Sequence, residues 1–338
     1  MKKLLFIFMS LLSVIYIGNK NAMAEENKTF GGYTVEGIPN NNQIDPNAGY
    51  YYLHEEPGEK DVIKIKLINT GNEPKTLKIQ LTDADTNENG VITYTDKFES
   101  KKNPISKILS IDTNEVTLKP GQTIEKKIDL HTPEERFEGV KLGGIYVTEK
   151  RDTSKAKGFS LENTYSYTIG VAISNSSENK IKNNIDVSLG KIDTNLNDGR
   201  KVVQANLENT YPYIFGEAEV TTKITKKGND KFKKESKIES AKIAPNTILP
   251  VRVDWGKDEV TPGKYLLEMK ISTKEKDWKF KKEFEIKEKV AKDLNENTVF
   301  KVRMPKWYIQ VRIILLVLLI CLTLLSIWNL KKGESHEK

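Results

Sequence analysis

The chain has 338 residues, of which 30% are charged, with a net charge of +7 and a single cysteine. One cysteine excludes an intramolecular disulfide, so each domain has to be stabilised by its own hydrophobic core. The charge is basic but mixed in sign, and we expect no nucleic-acid partner.

The N-terminus predicts an exported protein. Residues 1–24 combine a charged start at Lys2 and Lys3, a short apolar run over 4–17, and the small-x-small sequence Ala22-Met23-Ala24. This pattern is typical of a secretory signal peptide, and the apolar run is shorter than the roughly 20 residues that a membrane-spanning helix needs. We therefore expect cleavage after Ala24.

The exported part shows a strand pattern over most of its length. Apolar residues alternate with lysine or glutamine over 63–67 and 77–81, and similar short runs recur up to residue 286, separated by Gly, Pro, Asn and Asp. A period of two indicates half-buried strands, and many short strands between turns indicate sandwiches. The predicted fold is all-β, with two consecutive immunoglobulin-like antiparallel β-sandwich domains and one C-terminal transmembrane helix.

The sequence DTNENGVITYTD at residues 85–96 fits two different structures. Its spacing matches the start of an EF-hand calcium loop, whereas Asn89-Gly90 is a strong signal for a type I′ hairpin turn. The flanking segments have the composition of strands and not of helices, so the hairpin is the favoured interpretation. The weak calcium candidates are Asp85, Asn87, Asn89 and Asp96. No other metal and no cofactor is expected.

Aromatic, amide and glycine residues supply the binding candidates of the first domain. Sugars stack on aromatic rings, but a strand Tyr or Trp is more often packed in a core, and we expect Trp278 to be a core residue. The pair Gly143-Gly144 inside an apolar run indicates a bulge, a close backbone approach or a docking point for a partner. The candidates are Tyr50, Tyr52, Tyr94, Asn87, Asn89, Gly143 and Gly144.

A domain boundary is expected between residues 150 and 180. Two polar stretches without periodicity lie there, at 150–158 and at 175–184. Placing the boundary in the second stretch gives domains at 30–175 and 176–290.

The second domain contains seven lysines within residues 223–237. Such a run predicts a solvated hairpin tip or, alternatively, a surface that attracts polyanions of a cell envelope. The candidates for this surface are Lys226, Lys227, Lys233 and Lys234.

The C-terminal region predicts membrane attachment. We expect a linker at 291–306, a transmembrane helix at 307–330 and a cytoplasmic tail at 331–338. Residues 313–330 carry no charge, and Trp307, Tyr308 and Trp328 stand where interfacial aromatics belong. Basic residues are more frequent before the helix than after it, against the usual cytoplasmic excess, but the signal peptide overrides this bias. The expected protein is single-pass, with its bulk outside facing the cell wall.

No catalytic residue is assigned. The three histidines are His54, His131 and His336, and the only thiol, Cys321, lies in the apolar helix. This leaves no arrangement for nucleophilic catalysis and no zinc spacing, while a pair of glycosidase carboxylates cannot be recognised from spacing. We expect a protein that is not an enzyme.

Several short motifs, in order, resemble the WxL-interacting protein family of Gram-positive surface proteins. The first domain has PNNNQ at 39–43, TNENGVITY at 86–94, FEG at 137–139 and LGGI at 142–145. The second half has ANLENTYPYIFGEAEVTTKI at 205–224, IAPNTILPVRV at 243–253 and TPGKYLLEMKI at 261–271. One departure is the run Tyr50-Tyr51-Tyr52, where the family commonly has a Phe after the tyrosine.

The resemblance implies a membrane-anchored binding protein. Its first domain would associate with peptidoglycan, and its second with host extracellular-matrix or other surface ligands, with WxL-domain surface proteins as further partners. The alternative is a purely protein-binding adaptor or adhesin without direct glycan contact.

Overall fold

The computed structural model describes residues 30–95, 98, 100, 104–150, 165–300 and 306–334. The expected signal peptide, Asp96 and the polar residues 151–158 lie outside these ranges. The first half, after a single 3-10 turn at Phe30–Gly32, contains strands β1 (Tyr33–Ile38), β2 (Tyr51–His54), β3 (Lys60–Asn69), β4 (Lys75–Asp83), β5 (Asp85–Thr86), β6 (Ile92–Thr93), β7 (Leu109–Ser110), β8 (Glu115–Leu118), β9 (Thr123–His131), β10 (Lys141–Glu149) and β11 (Ser166–Ser174).

The second half contains seven strands and two helices. These are β12 (Ser188–Asn197), β13 (Arg200–Glu208), β14 (Phe215–Lys226), β15 (Asn229–Ile243), β16 (Ile248–Asp254), β17 (Gly263–Ser272), β18 (Asp277–Ile286), α1 (Glu288–Asn297) and α2 (Lys306–Glu334).

Two sandwiches follow one another along the chain. In the first, the sheet β1-β3-β9-β7 packs on β2-β11-β10-β4-β8, and in the second, β12-β13-β16 packs on β15-β14-β17-β18. All pairs are antiparallel except β2 with β11, which run parallel. The predicted all-β class with two immunoglobulin-like sandwiches is confirmed.

The period of two decides which side chains enter each core. In β3, Ile63, Ile65 and Leu67 are fully buried in the first core, while Lys64 and Lys66 alternate with them on the other face. The second core is more aromatic: Trp255 packs edge-on against Tyr265 with 5.5 Å between ring centroids. Burying rings of this size is the main stabilising contribution here, because each removes about 150–250 Å² from water.

Trp278 is a core residue, as its strand position predicts. Its ring packs edge-on against Phe215 with centroids 5.2 Å apart, and its indole N–H donates to the Asp186 carboxylate at 2.6 Å. The indole is therefore already engaged on its polar side, and it offers no free stacking face for a ligand.

Helix α1 is part of the second sandwich. Ala291 and Leu294 are buried in its core, and the Asn295 side chain exchanges two hydrogen bonds of 2.9 Å with the backbone of Val260. The Thr298 hydroxyl donates to the Gly199 carbonyl at 2.8 Å. Residues 291–300 of the predicted linker are therefore packed against or bonded to the second sandwich.

The chain belongs to the first sandwich up to residue 174, the end of strand β11. This strand pairs with β10, from Ser166 opposite Thr148 to Ile173 opposite Lys141, and with β2 on its other side. Residues 175–184 then lead to β12.

Within the described residues, one helix is long and apolar enough to cross a membrane, at Gln310–Trp328 in α2.

Candidate functional site

Residues 85–93 form a hairpin, and its turn differs from the predicted type. The Gly90 N–H donates to the Asn87 carbonyl at 3.0 Å, and the Asn87 N–H donates to Val91 at 3.0 Å. Gly90 has φ of 70°, whereas Asn89 is not in the positive-φ region. A type I′ turn needs positive φ at both residues, so this is a three-residue loop with glycine in the left-handed position. The hairpin is confirmed and the type I′ assignment is wrong.

The side-chain oxygen of Asn87 is occupied by hydrogen bonds within the loop. The Asn87 side-chain oxygen accepts from the N–H groups of Asn89 and Val91 at 3.0 and 3.1 Å. Burial raises the pKa of Asp85, which disfavours its charged form. Within the described ranges, no group of three His, Cys, Asp or Glu residues is arranged to hold a metal ion. The Asn87 side chain therefore has a structural role in the turn.

This hairpin connects the two sandwiches. The Thr86 hydroxyl lies 2.7 Å from the Thr247 hydroxyl and accepts the Ala244 N–H at 2.9 Å, both buried. The Gly90 carbonyl accepts the Lys242 N–H at 2.7 Å. A Cβ at Gly90 would lie 2.8 Å from Ala241 Cα, so glycine is required by contact as well as by φ. The loop that resembles a calcium site is a docking element between domains.

Beside the hairpin, an apolar cluster adds to the contact between the two sandwiches, which we call the junction. Its buried members come from both sandwiches and are Tyr52, Ala84, Val140, Leu142, Ala172 and Ala244. Tyr52 is only 1% exposed, and its hydroxyl donates to the Glu178 carbonyl at 3.2 Å. Tyr52 is thus corrected from an exposed binding candidate to an interdomain packing residue, because the second domain covers it.

A groove of about 740 Å³ opens next to this cluster, between the sandwiches. The first sandwich supplies Tyr50, Gly90, Val91, Ile92, Tyr94, Leu142 and Gly170. The second half of the chain supplies Ile181, Lys182, Ile214, Glu217, Ser240 and Lys242. Ligand sites are commonly concave, largely apolar and placed at domain interfaces, so this groove is the candidate binding site.

Tyr50 and Tyr94 form one wall of the groove. Tyr50 is 36% exposed, and burial raises the pKa of Tyr94 to about 12, with Tyr50 as the next cause. A Cβ at Gly170 would touch both side chains at 3.4 and 3.5 Å, and one at Gly144 would lie 3.0 Å from the Tyr94 ring. The Tyr94 side chain therefore lies over Gly144 and Gly170, and Tyr50 Cβ lies beside it above Gly170.

Gly143 has a packing role beneath this wall. A Cβ there would overlap Ile105 and the Thr82 carbonyl, while the β10 ladder continues through Gly143 and Gly144 without a register shift. Of the alternatives, close backbone approach is the one observed, and there is no bulge at this position.

The loop before β2 holds Tyr50 in place through the PNNNQ motif. The Gln43 amide donates to the carbonyls of Asp45 and Tyr50, each at 2.9 Å, and its oxygen accepts the Tyr52 N–H at 3.3 Å. One side chain thus fixes both ends of the loop. This explains locally why a glutamine follows the asparagines.

The four candidate lysines of the second domain do not form an unpaired basic patch. Three of them have carboxylate partners: Lys227 with Glu283, Lys233 with Glu235, and Lys234 with Asp258, at 2.5, 2.6 and 2.6 Å. Lys226 donates instead to Thr261 and to Pro262, at 2.6 and 3.0 Å. This arrangement weakens the attraction to polyanions and favours a solvated, self-paired hairpin.

The sequence interpretation missed the contribution of the second domain to the groove. Ile181 is a single apolar residue in a polar stretch, whereas Ile214 directly precedes Phe215. Glu217 stands in β14 with φ of 56°, where the β14–β15 register shifts. A β-bulge changes the direction in which a side chain points, and here the Glu217 carboxylate lies 2.7 Å from Lys182 Nζ. The isolated Ile181 in a polar stretch was the available signal.

Together these features define a tandem β-sandwich binding protein whose candidate site lies between the two domains. Residues 33–149 match the family model described as "WxL Interacting Protein, peptidoglycan binding domain", and residues 156–296 match "WxL Interacting Protein, host binding domain". The chain belongs to the WxL-interacting protein family, and these domains make it a cell-surface binding protein. The second match begins before β11, which pairs within the first sandwich.

The solved structures that match the chain share little sequence with it. The CsuC–CsuE chaperone–tip adhesion subunit complex of Acinetobacter baumannii is 11% identical, covers 74% of this chain and 97% of its own, and has a TM-score of 0.32. The YadV chaperone is 10% identical, with 75% and 100% covered and a TM-score of 0.31. A family 123 glycoside hydrolase from Clostridium perfringens is 14% identical, with 44% and 29% covered and a TM-score of 0.28. No curated protein sequence matches the chain.

Proposed function

We propose that the protein is a non-enzymatic, single-pass surface protein that associates with peptidoglycan through its first sandwich. Through its second sandwich it binds WxL-domain proteins, host surface ligands, or both. The observation that carries this proposal is the order of the two family matches on two packed sandwiches, followed by an apolar helix. Both family descriptions name binding domains, which supports a role without catalysis.

The apolar helix α2 supports membrane attachment. Its apolar segment Gln310–Trp328 is long enough for a bilayer core of about 30 Å, and Trp307 and Tyr308 precede it as interfacial aromatics. Residues 301–305 separate the start of α2 from Phe300, and five residues span at most about 18 Å. In the proposed orientation the second sandwich lies close to the membrane, and the first extends toward the wall.

Strand β18 offers a route for protein partners. Over Asp277–Ile286 it pairs with β17, and among the described strands none pairs with its other edge. Such an edge can accept a partner strand, with main-chain hydrogen bonds for affinity and side chains for selection. Lysines along it, among them Lys279, Lys281 and Lys282, discourage indiscriminate pairing.

The test is cosedimentation of the full chain, in detergent micelles, with purified peptidoglycan sacculi. Sacculi with and without teichoic acid are compared in low salt and in about 0.5 M salt, where charge attraction is strongly screened. Cellulose particles serve as the control polymer. We expect saturable binding to sacculi that persists at high salt. Binding that requires teichoic acid and disappears in high salt, or no binding, would support the protein-binding adaptor instead.

A further inference from the structure

The interdomain groove contains polar groups without a protein partner. Within the described part of the chain, no hydrogen bond or ion pair engages the side-chain polar atoms of Tyr50, Tyr94, Ser240 or Lys242. All four residues line the same groove. Polar groups that surround an apolar floor without pairing to each other are available to a ligand.

The chemistry of the groove suits a sugar ring. A pyranose has one apolar face and a rim of hydroxyls, and it stacks on an aromatic ring while its rim makes hydrogen bonds. Here the Tyr94 side chain lies over Gly144 and Gly170, the partly exposed Tyr50 stands beside it, and Leu142 and Ile214 continue the apolar surface. The hydroxyls and the Lys242 ammonium group supply the rim contacts.

The charge of the groove selects against a polyanion. Lys182 forms an ion pair with Glu217 at 2.7 Å, and Lys182, followed by Lys274 and Lys242, lowers the pKa of Glu217. The described lining residues therefore carry two ammonium groups and one carboxylate, an excess of one positive charge. Such an excess fits a neutral or singly charged ligand, and it predicts weak salt dependence. An N-acetylated amino sugar is neutral, and its acetamide adds an apolar methyl group and two hydrogen-bonding groups.

We propose that this groove is a composite glycan site, in which an N-acetyl amino sugar of a β-linked chain stacks on Tyr50 and is held from the second sandwich by Lys242 and Ser240. The inference rests on the proposed association with peptidoglycan and deepens it. It assigns half of the binding site to residues of the region that matches the host-binding domain. Glycan binding therefore requires both sandwiches in their packed arrangement.

The experiment measures binding of the full chain in detergent to chitotetraose by calorimetry and to sacculi by cosedimentation. Tyr50→Ala and Lys242→Ala are compared with matched controls outside the groove. Tyr165→Ala is the tyrosine control, since Tyr165 is 37% exposed against 36% for Tyr50, and the exposed Lys127 of β9 gives the lysine control, Lys127→Ala. Unchanged melting temperatures exclude misfolding.

We expect each groove substitution to weaken binding of both ligands by about tenfold, which corresponds to about 1.4 kcal/mol. The controls should bind like the unsubstituted protein, and 0.5 M salt should change the affinity by less than about threefold. Suppose that the unsubstituted protein binds sacculi. If the groove variants then bind equally well, or if chitotetraose does not bind, the composite site is wrong and the proposed function stands. If the unsubstituted protein binds neither, the proposed function fails as well.

Discussion

Glu55 is a buried carboxyl group at the end of β2. Its side chain is fully buried, and one carboxyl oxygen accepts from the Asn42 amide at 3.2 Å, while no hydrogen bond reaches the other among the described residues. Burial raises the pKa of Glu55 from 4.5 to about 8, and the nearby carboxylates Asp61 and Glu59 add to the rise. The side chain is therefore neutral at pH 7.

This raised pKa predicts that the folded state becomes less stable as the pH rises from about 4.5 to about 8. In that window the folded protein holds a proton that the unfolded chain has lost, at a cost of about 1.4 kcal/mol per pH unit. Glu55→Gln keeps the shape and supplies a permanent donor toward Asp61. Urea unfolding at pH 5.5 and 8.5 should show a loss of stability in the unsubstituted protein that is much smaller in the variant.

The exposed Glu36 provides the control for this measurement, because Glu36→Gln should leave the pH dependence unchanged. Equal pH dependence in Glu55→Gln and the unsubstituted protein would show that Glu55 is not the responsible group.

Three consecutive tyrosines show how far residue-level prediction reaches. Alternation places Tyr51 on the opposite side of β2 from Tyr52. Tyr51 is indeed in the first core, where its hydroxyl donates to the backbone carbonyl of Lys64 at 2.6 Å. Tyr50 is exposed as predicted. Tyr52 is buried only because the second domain packs over it, and no local pattern in the first domain contains that information.

At the scale of elements, the hairpin of β5 and β6 was predictable in place but not in role. Strand-like flanks and the Asn-Gly pair locate it. The turn geometry depends on Asn89 staying out of the positive-φ region, and the docking depends on Thr247 and Ala244, which lie about 160 residues away. The lysine-rich hairpin is similar, since Asp258 and Glu283, which neutralise two of its lysines, come from distant segments.

The hairpin should not bind calcium at millimolar concentration. The Asn87 oxygen already accepts two backbone donors, and a metal would have to displace them. A ligand at a hundred times its Kd would stabilise the folded state by about 2.7 kcal/mol and raise the melting temperature by several degrees. We expect no rise with 2 mM CaCl2 relative to MgCl2. A rise that EDTA reverses and that Asp85→Asn abolishes would restore the calcium-loop interpretation.

At the scale of the whole molecule, the contacts at the junction hold the two sandwiches together as one structural unit. It combines the hairpin, the apolar cluster around Tyr52 and the Arg252–Glu88 ion pair at 3.3 Å. Domain interfaces with an apolar core resist relative motion, and a site built from both domains needs that rigidity. The positions of the strands could be predicted from sequence, but this arrangement could not, because it depends on contacts between residues far apart in the chain.

We predict that the two sandwiches unfold together, and that a single substitution at the junction separates their transitions. Trp255 and Trp278 report on the second sandwich by fluorescence, while hydrogen exchange in β3 and β9 reports on the first. The two signals should change over the same range of urea concentration in the unsubstituted protein. Thr86→Val leaves the buried Ala244 N–H without an acceptor, which costs about 1–3 kcal/mol.

In Thr86→Val, the lost coupling should therefore let one sandwich unfold at a lower urea concentration than the other, and binding to sacculi should weaken because the composite groove opens. The matched control is Thr76→Val, which removes a comparable hydroxyl pair, Thr76 with Thr117 at 2.8 Å, on the exposed surface of the first sandwich alone. Its two transitions should remain coincident. Separate transitions in the unsubstituted protein would contradict a rigid junction, and with it the dependence of the groove on both domains.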